Sequence, residues 1–420
     1  MNTSELYKIF LNYSTICTDS RKIEKDSIFF SLKGDNFNGN KFAKQAIKDG
    51  CKYAIIDEKE YLSENCILVE DVLKSLQSLS SYHRETLNIP LIGITGTNGK
   101  TTTKELIHST LSSKYNCYST KGNLNNHIGV PLSLLEITDK TEIAVIEMGA
   151  NHIGEIDFLC KLSKPTHGII TNIGMAHLEG FGNFEGVIKA KSELYHFIKN
   201  TNGTLFVNNE DSLLKDLSEN INKVTYGKNE KSNYVGKLLF NFPYVQIEIE
   251  NTMIYSNLIG DFQFNNILAA SCIANHFEIK NSNIKNSIEN YIPQNNRTQI
   301  IETEKNYLIL DAYNANPSSM KSMIESFAKM ENKNKICVLG DMLELGSYAE
   351  IEHKKIIQLT KKLNLEIILV GEEFSKITTE NTYKDIEELG FHLTKNHLKN
   401  KTILLKGSRG IRLEKLVEQL

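Results

Sequence analysis

The sequence predicts an α/β fold divided into three domains. At 420 residues the chain is long for a single domain. Short, continuous apolar runs alternate with helical segments over most of it, the pattern of a parallel sheet covered on both faces. The pattern changes character twice, near residue 88 and near residue 293.

Residues 1–88 contain a short strand in DSIFFSL and an amphipathic segment in KFAKQAIKDG, which predicts a small N-terminal α/β domain. SSYHRETLNIP reads as a helix end and a linker, because Pro90 disfavours helix in the residue before it and leads into an extended run. Residues 89–293 place LIGIT, EIAVIEM, HGIITNI and GTLFVN between helical segments, the pattern of a central parallel-sheet domain. Residues 294–420 repeat the alternation with NYLILDAY, KICVLGD, EIILVG and KTILLKG, which predicts a C-terminal dinucleotide-fold-like domain.

Composition narrows the function classes. Hydrophobic residues make up 40% and charged residues 24%, as in ordinary globular proteins. A net charge of −3 gives no field for a polyanion, so no nucleic-acid partner is expected. No apolar run is long enough to cross a bilayer, so no membrane partner is expected either. The start, MNTSELYKIFLNYS, lacks the basic residues and long apolar stretch of a signal peptide. Seven scattered cysteines without a CxxC pair read as reduced thiols of a cytoplasmic protein.

The segment GITGTNGKTTTKEL, Gly93 to Leu106, carries the chemistry. A strand, a glycine-rich turn and a helix N-terminus in succession form an anion site, with free backbone N–H groups and the positive helix end aimed at phosphate. The pattern G-x-x-x-x-G-K-[ST] asks for glycine at position 94, where this chain has isoleucine; Gly93 falls one place early. The spacing still predicts a nucleotide cradle in Gly96, Thr97, Asn98, Gly99, Lys100, Thr101 and Thr102. Lys100 is expected to reach the β- and γ-phosphates and the Thr101 hydroxyl to hold Mg²⁺.

Other residues fall where that chemistry needs them. Glu147 ends the strand EIAVIE, and His177 follows HGIITNI, both at the carboxyl edge where open sheets bind ligands. In GVIKAKSELYHFI, Val187, Lys191, Leu194, Tyr195 and Ile198 share one helical face. A lysine there is costly unless it snorkels to solvent or something compensates its charge.

TGTNGKTTT resembles the loop of the Mur ligase family, ATP-dependent enzymes that form amide bonds. NLNNHIGVPLSLL, EMGANHIGEI, TNIGMAHLEGFG, DAYNANPSSM, LGDMLELG and LKGSRG follow in family order, and TDSRKIEKDSIFFSLKGDNFNGNKFA extends the resemblance into the N-terminal domain. Together they resemble the branch that joins D-alanyl-D-alanine to UDP-N-acetylmuramoyl-tripeptide during peptidoglycan precursor synthesis. The resemblance implies a UDP-substrate-binding N-terminal domain, a central P-loop ATPase domain and a C-terminal ligase domain, acting as a monomer with ATP and Mg²⁺.

It also implies residue roles. Thr101 and Glu147 would hold one Mg²⁺, and Glu147 and His177 would help hold a second. Lys191, in its Ala-Lys context, matches a lysine carbamylated by CO₂ in related ligases, which converts a cation into a carboxylate-like metal ligand. Asn266 would lie near adenine, with Gln263 standing where relatives have asparagine. Arg297 would contact phosphate, and Asp311 the ribose, with Leu310 replacing the first aspartate of a family pair. Thr18, Asp19, Ser20 and Arg21 match the diphosphate end of the substrate, and Asn125, Asn126 and His127 its peptide end. Asn314, Asn316, Lys406, Ser408 and Arg409 would present the dipeptide.

Rival readings differ at particular motifs. A relative adding a diamino acid would carry a DNPR-like clamp where this chain reads YNANP, and folylpolyglutamate synthase would lack the TDSR domain. A nucleotide switch would need the loop without the substrate motifs.

Overall fold

The computed structural model describes residues 1–240, 243–294 and 296–420. Besides a two-stranded ribbon at 33–34 and 37–38, three larger sheets follow one another along the chain among the described residues. The first is parallel, with strands 16–17, 28–30, 53–56 and 66–68 in that order. The second has nine strands, ordered 252–255, 246–249, 234–240, 223–227, 204–208, 167–170, 91–95, 143–147 and 117–119. The third has six, ordered 299–302, 307–311, 402–406, 335–340, 366–370 and 382–383.

Apolar periodicity explains how the central sheet is covered. Helix Lys100–Leu111 turns Leu106, Ile107, Thr110 and Leu111 inward, all fully buried. Leu106, Ile107 and Leu111 share a core with Ile267 and Ala270 of helix Gln263–His276. On the opposite face, Val187, Leu194 and Ile198 of helix Phe184–Asn200 pack with Ile156 and Leu159 of helix Glu155–Ser163. Each buried aliphatic side chain of this size contributes about 1.5–3 kcal/mol relative to exposure.

The strands expected to be parallel, 91–95, 143–147, 167–170 and 204–208, are so, and the sheet continues at one end into antiparallel strands. Strands Tyr234–Phe240, Gln246–Ile249 and Thr252–Tyr255 run antiparallel to one another. Glu250 and Asn251 join the last two in left-handed conformations (φ 46° and 62°), the geometry a two-residue hairpin turn requires. The C-terminal sheet likewise carries one antiparallel edge strand, Gln299–Glu302, on Tyr307–Asp311.

Register assembles the site. Strand Leu91–Thr95 lies between Ile143–Glu147, with Ile94 opposite Glu147, and His167–Ile170, with Thr95 opposite Ile170. The glycine loop therefore leaves the sheet beside Glu147 on one side and Thr171 onward on the other. In the third sheet Asp311 is in register with Lys406. Among the described residues no helix is long and apolar enough to cross a membrane.

Candidate active site

The loop turns on its glycines. Gly96 and Gly99 hold φ of 144° and 78°, values that L side chains rarely adopt. A Cβ on Gly96 would come 2.1 Å from Thr171 Oγ1, and one on Gly99 2.7 Å from Asn266 Oδ1, so space as well as conformation demands glycine. Helix Lys100–Leu111 begins at once, and its first N–H groups lack intrahelical partners. Lys100 Nζ curls back to donate to the carbonyls of Gly96 (2.6 Å) and Thr97 (3.1 Å). Burial pushes the Lys100 ammonium below its ordinary range; Glu147 works against that shift and Arg297 adds to it.

Glu147 is 1% exposed and already oriented. It accepts from Thr101 Oγ1 at 2.9 Å and from Asn125 Nδ2 at 2.8 Å, while its own N–H donates to Thr120 Oγ1. Behind it, buried Lys104 donates to the Thr120 carbonyl at 2.5 Å. A carboxylate beside a threonine hydroxyl is an all-oxygen donor pair, which suits Mg²⁺. No group of three His, Cys, Asp or Glu side chains able to hold a metal forms among the described residues. A second ion would therefore need a further donor.

His177 lines the same cavity, in a left-handed conformation (φ 51°). Its Nδ1 lies against the carboxylate of Glu344, a residue of the C-terminal domain, and the ring holds the Glu344 carboxyl below its usual range. Lys191 faces inward with the rest of its helical stripe and is only 2% exposed, so it does not snorkel. Its ammonium lies 5.4 Å from the Phe181 ring centroid. Burial, reinforced by the charge of Lys100, lowers its pKa to about 7, against the opposing pull of Glu155 and Glu193.

The C-terminal domain closes the cavity, whose volume is about 920 Å³. Lys406, 2% exposed, pairs with Asp311 at 2.6 Å, as their register dictates. The Arg297 guanidinium stacks 3.7 Å from the Tyr313 ring centroid, with Arg409 5.4 Å from the same ring. Arg297 Nε is buried without a hydrogen-bond partner, a donor available to an anion. Asn314 and Asn316 line the cavity as well. Ser408 is tied into the fold instead, accepting from Leu343 N at 3.0 Å. Beside the glycine loop, Asn266 accepts from Thr103 Oγ1 and donates to Gln263, so the longer glutamine still meets it.

Comparison with known proteins decides the family. Three family models match in succession: "Mur ligase family, catalytic domain" over residues 12–95, "Mur ligase middle domain" over 94–274, and "Mur ligase, glutamate ligase domain" over 296–409. A UDP-N-acetylmuramoyl-tripeptide–D-alanyl-D-alanine ligase of Bacillus subtilis is 34% identical, covering 96% of this chain and 92% of its own. The chain belongs to the Mur ligase family.

Solved Mur ligases share the whole fold. A crystal structure of MurF from Acinetobacter baumannii superposes with a TM-score of 0.86 at 30% identity, over 97% of this chain and 93% of that one. MurF from Thermotoga maritima in complex with ADP gives 0.84 at 26% identity, over 97% of each chain.

The residues expected to meet the substrate ends fall in two places. Asn125, Asn126 and His127 line the cavity; Asn126 Oδ1 accepts from the N–H of Gly129, the first residue of helix Gly129–Leu135, and the His127 carbonyl accepts from Gln77 of the N-terminal domain. Thr18, Asp19, Ser20 and Arg21 follow strand Ile16–Cys17 and are not among the cavity-lining residues. There Arg21 and Asp19 form a two-pronged pair at 2.8 Å, which holds the Asp19 carboxyl well below its usual range.

Sequence reasoning passed over Asn172, Tyr313, Ser318 and Glu344. All four lie inside or beside the motifs TNIGMAHLEGFG, DAYNANPSSM and LGDMLELG. The motifs were visible as blocks, but which side chain faces which domain is not a local property.

Proposed function

We propose that this chain is an ATP-dependent ligase that joins D-alanyl-D-alanine to UDP-N-acetylmuramoyl-tripeptide, releasing ADP and phosphate. One observation carries the reading: a phosphate loop and the cationic residues of a second domain, Arg297 and Lys406, face each other across one cavity. That arrangement suits a reaction in which an acyl group and an amine, held by different domains, meet over a transferred phosphoryl group.

The substrate carboxylate attacks the γ-phosphate of ATP, giving an acyl phosphate and ADP. The dipeptide amine then adds to the acyl carbon, phosphate leaves, and the amide forms with loss of a proton. Positioning and electrostatics carry most of the catalysis in phosphoryl transfer. In this reading the start of helix Lys100–Leu111 and Lys100 cradle the β- and γ-phosphates together with Gly96, Thr97, Gly99, Thr101 and Thr102. Lys100 exchanges its present carbonyl partners for phosphate oxygens. Arg297 reaches the phosphate from the opposite side, Asn266 lies by the base, and Asp311 by the ribose.

Thr101 and Glu147 would hold one Mg²⁺, with His177 and Lys191 toward a second. Bound Mg²⁺ neutralises charge on the migrating phosphoryl group. A buried amine with a pKa of about 7 is about half unprotonated at neutral pH, where an ordinary lysine is almost wholly charged, and the neutral fraction is nucleophilic toward CO₂. Carbamylation of Lys191 would release a proton and supply the missing oxygen donor. Thr18, Asp19, Ser20 and Arg21 would meet the uridine diphosphate, Asn125 to His127 the peptide, and Asn314, Asn316, Lys406 and Arg409 the dipeptide, with Ser408 supporting the turn that carries Arg409. The enzyme would act in the cytoplasm.

The test is phosphate release measured with each substrate omitted in turn. Release that requires ATP, the UDP-linked tripeptide and the dipeptide together supports the ligase. Release without the dipeptide, or with a free diamino acid in its place, overturns it.

A further inference from the structure

We infer that Ser318 is a positioning residue that, with Asn316, latches the C-terminal domain onto the phosphate loop through the side chain of Asn98. The meaning of the latch for catalysis rests on the ligase reading; its existence does not.

The backbone of Asn98 is bound on both sides within the central domain. Its backbone N–H donates to Asn172 Oδ1 at 3.0 Å, and its carbonyl accepts from Thr171 Oγ1 at 2.6 Å and Asn172 Nδ2 at 2.9 Å. In a loop built to aim N–H groups at phosphate, this one is already committed to the central domain. Its carboxamide is spent entirely on the other domain. Asn98 Nδ2 donates to Ser318 Oγ, Ser318 Oγ donates to Asn316 Oδ1, and Asn316 Nδ2 donates to Asn98 Oδ1, each at 2.8 Å. The three side chains close a ring.

Each member is held from behind. Asn316 is the N-cap of helix Pro317–Ala328, its Oδ1 also accepting from Ser319 N at 2.9 Å, so the ring moves with that helix. Gly174 leaves the space that Ser318 fills: a Cβ there would come 3.0 Å from Ser318 Oγ. Hydrogen bonds weaken steeply with misalignment, and a ring fixes direction at three corners at once. A shift of the loop by an ångström, or of the helix by as much, breaks it. Loop shape and C-terminal domain position are therefore one variable. Nucleotide phosphates that set the loop thereby set where the domain carrying Lys406 and Arg409 sits.

The test uses the full chain, with a donor dye on the central domain and an acceptor on the C-terminal domain, alone and with ADP. Ser318→Ala, Asn98→Ala and the double variant are compared, with thermal melts to establish folding. Loss of one such ring should shift the closed-to-open ratio about three- to tenfold toward open. Because the ring is a unit, the double variant should shift no further than either single one. ADP should still bind Ser318→Ala by calorimetry while moving the dyes less than in the parent. Parent-like dye distances in Ser318→Ala, or shifts that add in the double variant, would overturn the latch. Neither readout needs dipeptide or tripeptide, so a failure of the ligase reading leaves this result interpretable.

Discussion

Replacing Lys191 with methionine removes the amine while keeping roughly the length and apolar volume of the stem. The folded chain holds this amine near pKa 7 where 10.5 is ordinary, so the unfolded chain binds the proton more tightly. At pH 7 the difference costs the fold on the order of 4 kcal/mol. The sign follows: the penalty is fully present below pH 7, fades as pH rises from 7 to 10.5, and is absent above that. Lys191→Met should accordingly be more stable than the parent in CO₂-free buffer, most at pH 7 and below, and by a shrinking margin toward pH 10. Urea titrations at several pH values measure this. If Lys191 carries the proposed carbamate, phosphate release should collapse in the same variant, because the carbamate oxygens are lost with the amine. In Lys191→Ala the truncated stem leaves a cavity beside Val187, Leu194 and Ile198, where acetate should restore part of the activity. Lys191→Met turning over normally, or matching the parent's stability at every pH, would refute the reasoning.

Other variants probe separate parts of the site. Lys100→Ala should fold normally yet lose about a hundredfold or more in turnover, since in the proposed mechanism it removes a cation that cradles the transferred phosphoryl group; near-parental phosphate release would exclude the cradle role. Arg21→Ala should weaken binding of the UDP-linked substrate and leave ATP affinity unchanged, because the Asp19–Arg21 pair lies away from the cavity. Calorimetry showing equal loss of both would count against a diphosphate role for the TDSR turn. Tyr313→Phe should keep kcat/KM for ATP close to the parent, whereas Tyr313→Leu should lower it about three- to thirtyfold by removing the ring under Arg297. Equal behaviour of the two would mean that stacking does not position the arginine.

Local pattern was enough to predict much of this protein. Runs such as LIGIT and KTILLKG became buried strands because a strand covered on both faces needs no polar alternation. The loop at Gly96–Gly99 was legible because glycine spacing, strand and helix start are contiguous in sequence. The inward stripe of Lys191 was legible because helical periodicity fixes which residues share a face. The antiparallel hairpins at 234–255 were not, since pairing direction depends on a turn that the apolar pattern does not encode. Nor was the meeting of Glu147 with Thr101, of Lys406 with Asp311, or of Asn98 with Ser318. Sheet register sets the first two and domain packing the third. Both join residues tens to hundreds of positions apart, beyond the reach of any local periodicity. Local chemistry chose the residue types, and tertiary structure chose their partners.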